Sequence, residues 1–490
     1  MAVRIYDTLS RQLRPLETRD PGRVAMYGCG PTVYNFAHVG NVRTFLWYDL
    51  IRRYLEYRGY EVTYVMNYTD VDDKIIERAA VEGLPAEAVA KKYARALEED
   101  LDALGVRPPD ILSRATEHIE DMVKAVQGLV ERGVAYDEAD GDVFFSVESY
   151  PGYGKLSRRT LEEMRAGERV EPSASKRHPL DFALWKAAKE GEPAWPSPWG
   201  PGRPGWHIEC SVMSTKYLGM GFDIHAGAAD LIFPHHENEI AQAEALAEQE
   251  PFVRYWAHAG LVQMEAEKMS KSLGNVVLAR DALERYPAEA VRYWAITGSY
   301  RSQVTFSEPA LRDALQAHER LRTFLDVARH ALAEDAPPRP TRPVRASRDG
   351  YPEGPGGEFV ERFCEAMDDD FNSAEALAAI HDLVRAANKR VEGAQTGETR
   401  DRRALLSFTE AFVEMTSVLG LEFPAGRERS KLVSGLVDYL LELRSEARAE
   451  RSFERADAIR ARLRALGIAI EDTPAGTRWR LTEGEPPPEA

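Results

Sequence analysis

Cysteine, lysine and long apolar runs are all scarce in this chain, and each shortage excludes something. The 490 residues contain three cysteines, Cys29, Cys210 and Cys364, too few and too scattered for a disulfide framework. No apolar stretch approaches the ~18 residues of a membrane-spanning helix, so no membrane partner is expected. The opening MAVRIYDTLS lacks the apolar core of a signal peptide. Together these absences predict a soluble, reducing, cytoplasmic setting; separately from them, a monomer is expected. An excess of positive charge is missing too. The formal net charge is −17, which excludes bulk attraction to nucleic acid. An RNA partner would have to meet a local basic surface. Only thirteen of the 63 basic residues are lysine, so arginine is the default cation wherever a generic positive charge will do.

What is present suits a large folded protein. Hydrophobic residues make up 44% of the chain, and its length allows several domains. Residues 22–29 read as a buried strand ending in turn chemistry. A helical stretch follows from about His38 to Gly59, with Leu46, Leu50, Ile51 and Leu55 at helical spacing. Residues 61–66 alternate as a second strand, and Asn67 to Asp73 read as a polar loop. Strand, helix, strand is a βαβ unit, which predicts an α/β fold: a Rossmann-like parallel sheet that binds a nucleotide. Helices are expected to about residue 130. Residues 131–205 look like an insertion of short strands and Pro/Gly-rich loops. The sheet should resume near FDIHAGAAD and end in a helix from His235 to Glu250. Beyond Leu311 the pattern is helical, with a linker at 335–357, a last amphipathic helix over roughly Val433–Leu466 and a short strand-like stretch. The expected division is a catalytic domain in two halves, 1–118 and 206–250, around a connective insertion, 119–205. A loop and stem-contact region, 251–310, a helical bundle, 311–423, and a C-terminal domain, 424–490, follow.

One candidate constellation has the residue types of a metal site. Zinc takes about four N, S or O donors. In PHHENEIAQ, His235 and Glu239 stand at i, i+4 on one helix face. Cys29 sits where the first strand ends, at the carboxyl edge where open α/β sheets bind ligands, and Cys210 lies just before the second half of the sheet. Singly each is weak. A lone cysteine is usually a small core hydrophobe, and a His–Glu pair is often a solvated face. Spacing alone leaves the metal and core readings both open.

A second constellation suits phosphates. His38-Val39-Gly40-Asn41 opens the first helix, where free N–H groups and the helix dipole favour anions. Gly40 allows close approach to the backbone, and His38 and Asn41 lie one turn apart, so both can donate to one phosphate. A plain helix cap with a buried histidine is the competing reading. Further on stands Lys268-Met269-Ser270-Lys271-Ser272. Its flanks are acidic, at Glu265 and Glu267, and its lysines are the only two between Lys216 and Lys389. In a chain that defaults to arginine, two compact ammonium groups here suit a developing pyrophosphate better than a solvated turn.

HVGN followed by KMSKS resembles the paired signature motifs of class I aminoacyl-tRNA synthetases. Within that class the chain is similar to the cysteinyl-tRNA synthetases, through YGCGPTVYNFAHVGNVRTF, NYTDVDDKII, WHIECSVMS, DLIFPHHENEIAQ, YRSQVTFSE and MDDDFNSAEAL, then RADAIRARL and EDTPAGTRW. The resemblance implies one zinc at Cys29, Cys210, His235 and Glu239, and favours His235 over His236. It implies that Thr32, Thr69 and Trp206 line the amino-acid pocket. It implies that His38, Gly40, Asn41, Gly227, Asp230 and Lys271 contact ATP, with Asp230 on the ribose, and that Lys268 joins them in catalysis. The family's glycine-rich HGGG reads His225-Ala226-Gly227-Ala228 here, and 335–357 looks like an insertion relative to the family.

The activity so implied has two steps. The carboxylate of L-cysteine attacks the α-phosphate of ATP·Mg²⁺, and the cysteinyl group then passes to tRNA(Cys). Zinc would select the thiolate over the near-isosteric serine, so no editing site is needed. From Arg444 to Arg464 the sequence has seven arginines and four acids. Like charges stack at i, i+4 (Arg444 with Arg448, Arg451 with Arg455), which suits a phosphate partner more than a salt-bridged surface. Trp479, between Arg478 and Arg480, suits either stacking on an anticodon base or anchoring the C-terminus. Two rivals remain. One is a cysteine:glucosaminyl-inositol ligase on the same scaffold, which would lack the C-terminal helical region. The other is a non-catalytic RNA-binding paralogue, which would not need intact HVGN and KMSKS.

Overall fold

The structure is a computed structural model and describes residues 2–167, 176–264, 277–333, 337, 354–423, 427–449, 452–465, 468–473 and 476–481. These fall into two compact units, residues 1–422 and 423–490.

The first unit begins with a hairpin, β1 (Arg4–Asp7) and β2 (Gln12–Pro15), which the sequence reading did not find. The expected βαβ unit follows as β3 (Arg23–Gly28), α1 (Val39–Tyr57) and β4 (Glu61–Tyr68). The strand runs two residues further than expected, because Asn67 and Tyr68 are buried rather than looped out. Helices α2 (Asp73–Glu82) and α3 (Ala86–Ala103) lead to β5 (Ile111–Arg114), a strand in a stretch expected to be helical. It is four residues long and half-buried, too short for a periodicity to show. After α4 (Ile119–Glu131) comes the insertion, an antiparallel sheet of β6 (Ala135–Asp137), β7 (Val143–Phe145), β8 (Phe182–Ala187) and β9 (Gly202–Pro204), with α5 (Leu161–Gly167) between β7 and β8.

The chain returns through α6 (Trp206–Leu218), β10 (Phe222–Ala228), α7 (Glu237–Ala247) and β11 (Val253–Ala259). The main sheet is therefore parallel and five-stranded, in the order β11-β10-β3-β4-β5. It extends past residue 250, so the expected boundary there cuts off its edge strand. From β3 the chain winds outward to β4 and β5, then returns to lay β10 and β11 on the other side of β3. The carboxyl ends of β3 and β10 thus flank the point where the winding reverses, which is where such sheets open a crevice for ligands.

A parallel pair, β12 (Val262–Met264) and β13 (Val304–Phe306), brackets α8 (Ala279–Arg285) and α9 (Ala288–Ala295). The rest of the unit is helical: α10 (Glu308–Leu332), α11 (Gly357–Asp368), α12 (Ser373–Asn388), α13 (Val391–Gln395) and α14 (Thr399–Val418). Cys364 is fully buried among these helices and acts as a core residue. A buried ion cluster ties α1 to α9. Asp49 accepts from Arg292 at 2.6 Å and Arg53 at 2.7 Å, and Arg292 also donates to the carbonyls of Leu104 and Leu419. A fully buried carboxylate needs such partners, and they outweigh burial to bring Asp49 down to about 2.

The second unit has α15 (Arg427–Ala449), α16 (Phe453–Ala465) and a hairpin of β14 (Ile468–Thr473) and β15 (Gly476–Leu481). The single helix expected over Val433–Leu466 is broken in two, where the Ser452 amide turns back onto the Ala447 carbonyl. The proposed arginine row is broken as well. Arg448 and Arg455 are exposed, but Arg444 is 4% exposed and points into the unit, so it does not face a phosphate. Trp479 lies on β15, with its side chain outside the described residues. No described helix is long and apolar enough to cross a membrane.

Candidate active site: a buried thiol–imidazole–carboxylate cluster beneath an open cleft

The cluster is assembled at the crevice between β3 and β10. Cys29 follows β3, and its amide donates to the Ala226 carbonyl of β10. The next residue must be glycine. A Cβ on Gly30 would stand 1.5 Å from the Asn67 carbonyl oxygen, while its amide donates to the Asn67 side chain at 3.0 Å. Cys210 comes from the second turn of α6, with its Sγ 3.7 Å from that of Cys29. His235 and His236 arrive on a wide turn, 232–236, interrupted by the non-helical Phe233. The expected single helix over 235–250 therefore starts only at Glu237. Even so, His235 Nε2 reaches Glu239 Oε1 at 2.9 Å, because the turn leads straight into α7. Cys29, Cys210, His235 and Glu239 are at most 4% exposed.

A ring of histidines surrounds this core. His225 Nε2 lies 2.7 Å from the second oxygen of Glu239, and His207 Nδ1 lies 2.9 Å from His235 Nδ1. His236 Nε2 is 3.3 Å from the Cys29 sulfur, while its Nδ1 meets His258 Nε2 at 2.8 Å. Trp206 stacks on His235, with centroids 4.3 Å apart. His207 and His258 were not singled out from sequence; His236 entered only as the alternative to His235, and His225 only as the first residue of the HGGG-like segment. The signal was available, since five of the chain's eleven histidines lie between residues 207 and 258.

The electrostatics are those of a cation site. Burial pushes the Cys29 thiol up, and Cys210 and Glu239 push it further. Burial also opposes ionisation of Cys210, but the Cys29 hydrogen bond and His235 bring it down to about 6 despite the Glu239 charge. Burial raises Glu239, yet His225 and His235 outweigh it and leave the carboxyl at about 2. Burial lowers His235, yet Glu239 and Cys210 raise it to about 10. These directions favour anionic donors at Cys210 and Glu239 beside a cationic partner, the electrostatic setting that suits a metal cation. Two four-residue sets have donor atoms all within 4.8 Å of one another: Cys29, Cys210, His235 and Glu239, or Cys29, His225, His236 and Glu239. Both match the donor count of a zinc site, and the first offers two thiols, the softer set.

The cluster lies at the base of a cavity of about 280 Å³, whose wall includes Cys29, Thr32, His38, Asn41, Lys74, Trp206 and Asp230. His38 and Asn41 form a capping box. Asn41 N–H donates to His38 Nδ1, and Asn41 Oδ1 accepts from the His38 amide, both at 3.2 Å. With Nδ1 accepting, the neutral ring carries its proton on Nε2, as a donor. The two residues therefore hold each other in place, rather than merely lying one turn apart. Gly40, in the same turn, is half-buried, and its carbonyl accepts from Thr44. Gly227 is also off the cavity wall. Its missing Cβ makes room for the His236 ring, which such an atom would meet at 2.3 Å, and the wall at this point is Ala228. Thr69 is 1% exposed, pairs with Thr32 through the backbone and donates its hydroxyl to Glu209 at 2.6 Å. Lys268 and Lys271 lie outside the described residues. The segment that follows them is held beside the cap, since Val39 N–H donates to the Val277 carbonyl and Ala279 N–H to that of Ala37.

Comparisons with known proteins agree along the whole chain. A family model described as the class I (C) tRNA synthetase catalytic domain matches residues 15–316, a DALR domain matches 362–424, and a cysteinyl-tRNA ligase anticodon binding domain matches 433–480. A cysteine–tRNA ligase of Pelotomaculum thermopropionicum is 49% identical over 98% of this chain and 99% of its own length. One from Moorella thermoacetica is 50% identical over 97% and 99%. In fold, the chain is similar to Mycobacterium tuberculosis methionyl-tRNA synthetase in complex with methionyl-adenylate, at a TM-score of 0.58 and 15% identity, covering 81% of this chain and 90% of that one. With that parallel sheet, this helical C-terminal region and relatives matched from end to end, the chain belongs to the cysteine–tRNA ligases of the class I aminoacyl-tRNA synthetases.

Proposed function

We propose that the chain charges tRNA(Cys) with L-cysteine through a cysteinyl-adenylate, and that zinc on Cys29, Cys210, His235 and Glu239 selects the substrate. The observation that carries this is the two-thiol cluster at the base of the same cavity that His38 and Asn41 line. When bound there, zinc supplies a soft acid that holds a thiolate far better than a hydroxyl. Among the chain's own residues, Thr32, Thr69 and Trp206 surround the amino acid. Asp230 takes the ribose hydroxyls and Gly40 gives the nucleotide close approach to the backbone, while Gly227 acts only indirectly, by leaving room for the His236 ring.

In the first step a carboxylate oxygen of cysteine bonds to the α-phosphorus of ATP·Mg²⁺, and the bridging bond to the β-phosphate breaks. His38 Nε2, the Asn41 side-chain amide and the positive end of the α1 dipole face the phosphates. Lys268 and Lys271 neutralise the departing pyrophosphate, so the step runs on positioning and charge stabilisation. In the second step a hydroxyl of the terminal tRNA ribose attacks the cysteinyl carbonyl and AMP leaves. We assign tRNA contact to the C-terminal region: the 251–310 region against the stem, the 311–423 bundle as spacer and 424–490 at the anticodon, in a cytoplasmic monomer. The small-molecule ligase reading is not favoured, because the matched relatives span the C-terminal region as well.

Two assays on the purified chain test this. Cysteine-dependent exchange of pyrophosphate into ATP reports the first step, and charging of total tRNA reports the second. Exchange without charging, together with ligation of cysteine to an aminosugar, would overturn the reading.

A further inference from the structure

Two of the four proposed zinc ligands stand on a segment that does not hold itself. His235 lies in the wide turn, 232–236, and Glu239 in the first turn of α7. Phe233 interrupts the turn with extended backbone angles, φ −139° and ψ 131°, so a regular ladder of helix bonds does not fix the residues around it.

What holds them comes from the insertion. Residues 150–159 grip the turn and α7 along their length. The Arg159 guanidinium lies over the Phe233 ring, 5.7 Å from its centroid. Glu237 is fully buried and stands midway between the two ligands. Its Oε1 accepts from the Gly154 amide at 3.0 Å and the Leu156 amide at 3.3 Å, and its Oε2 accepts from the Ser157 amide at 2.7 Å. The Tyr153 hydroxyl donates to Asn238 Oδ1, and Tyr150 and Lys155 both donate to Glu244. The contacts begin before His235 and end beyond Glu239, so both ligands lie inside the gripped span.

The loop is shaped for this task. Its amides converge on one carboxyl because the chain curls at Gly154, where φ is +95° and a Cβ would meet the Arg159 carbonyl oxygen at 2.2 Å. A loop that merely covered α7 could do so with apolar side chains, which are cheaper to bury than a carboxyl. Hydrogen bonds to both carboxyl oxygens fix direction as well as distance.

We infer that Glu237 is a positioning residue of the metal centre: through it the insertion splints His235 and Glu239 where they converge with Cys29 and Cys210. The inference rests on the zinc reading above and adds what keeps two of the ligands in place.

Zinc release from the full-length chain to an excess of a chromogenic chelator tests it, beside melting temperatures with and without zinc. Glu237→Gln keeps the volume but turns one acceptor into a donor that faces backbone N–H groups. Zinc should leave about tenfold faster, as for other groups that orient a metal ligand, and the rise in melting temperature that zinc confers should shrink. The KM for cysteine in exchange should rise while the KM for ATP is kept. Tyr153→Phe leaves α7 untouched and should move zinc release the same way by a smaller factor, which keeps the test valid should Glu237→Gln fold poorly. Tyr136→Phe removes a hydrogen bond to Asp181 inside the insertion, away from α7, and should leave release unchanged. Melting temperatures that fall equally with and without zinc, at one common release rate, would overturn the inference and leave Glu237 a part of the fold alone. Release hastened equally by Tyr136→Phe would overturn it too. An unaltered chain that binds no zinc would overturn it together with the metal reading.

Discussion

At the base of the cleft Cys210, His235 and Glu239 are 2%, 2% and 0% exposed, and each is held by at least one further buried side chain. At its mouth His38 and Asn41 are half-buried, and the hydrogen bonds between them form a helix cap. The two ends handle charge differently. The base gathers thiol, imidazole and carboxylate donors out of water, a set chemically suited to a soft cation. The mouth presents the polar side chains of His38 and Asn41 at a helix N-terminus, whose dipole favours anions. A thiol must be told from a hydroxyl, which takes strong local chemistry. A triphosphate need only be oriented and its charge spread. The base should therefore tolerate almost no substitution, and the mouth should respond by degrees.

The largest effect expected is at the base. Cys210→Ser replaces a soft donor by a hard one, and the chain should lose its zinc and its cysteine-dependent exchange together, by about 10³-fold or more if a ligand set of four is needed. Zinc content by elemental analysis and exchange measured on the same preparation check this. Normal cysteine activation after verified removal of all metal would erase the contrast between the two ends. Next comes Lys271→Ala, which should slow exchange by about 10²–10³-fold, the usual cost of removing one charge-stabilising group, with melting temperature and zinc content unchanged. An unaltered rate would reduce the lysine loop to a solvated turn. Ending the chain at residue 423 should spare both ends of the cleft. Exchange should stay within about twofold while tRNA charging falls about a hundredfold, because positioning of the acceptor end depends on distal contacts. Full charging by the shortened chain would move the tRNA contact elsewhere.

Long periodic elements were readable in the sequence and short or bent ones were not. The βαβ unit from Arg23 to Tyr68 was legible because α1 carries apolar residues at helical spacing and ends in clear caps. The four-residue β5 and the hairpin β1–β2 were hidden because each of these strands is only four residues long, too short for a periodicity to show. The same contrast holds within the site. His235 and Glu239 were seen together through i, i+4 spacing, although His235 turns out to precede the helix. Cys29 and Cys210 lie 181 residues apart, and no local rule joins them. His225 was visible only as part of the HGGG-like segment, since its place in the cluster comes from what it touches, Glu239. Arg444 shows the converse failure. A sequence pattern suggested a phosphate-facing row, and packing has turned this arginine inward.

The smallest expected effect separates the two readings of the HVGN turn, cap or phosphate site. Asn41 lines the cavity and contributes Oδ1 to the capping box, which leaves its amide donor, Nδ2, unused by the box. Asn41→Asp keeps the oxygen that accepts from His38 and exchanges the donor for a second oxygen. Asparagine and aspartate are similar in capping ability, and a negative charge in the first turn of a helix is favourable, so a residue that served only as a cap would leave stability level or slightly improved and leave ATP untouched. If the amide faces the phosphates, the same change places an anion against an anion. The KM for ATP in exchange should then rise about tenfold, or about 1.4 kcal/mol, while the KM for cysteine stays put and the melting temperature does not fall. Raising the salt concentration should narrow the gap, because the repulsion is exposed and screened. An unchanged KM for ATP would leave His38 and the backbone as the phosphate ligands and would confine Asn41 to the cap. A parallel rise in the KM for cysteine would mean instead that the mouth and the base are mechanically coupled.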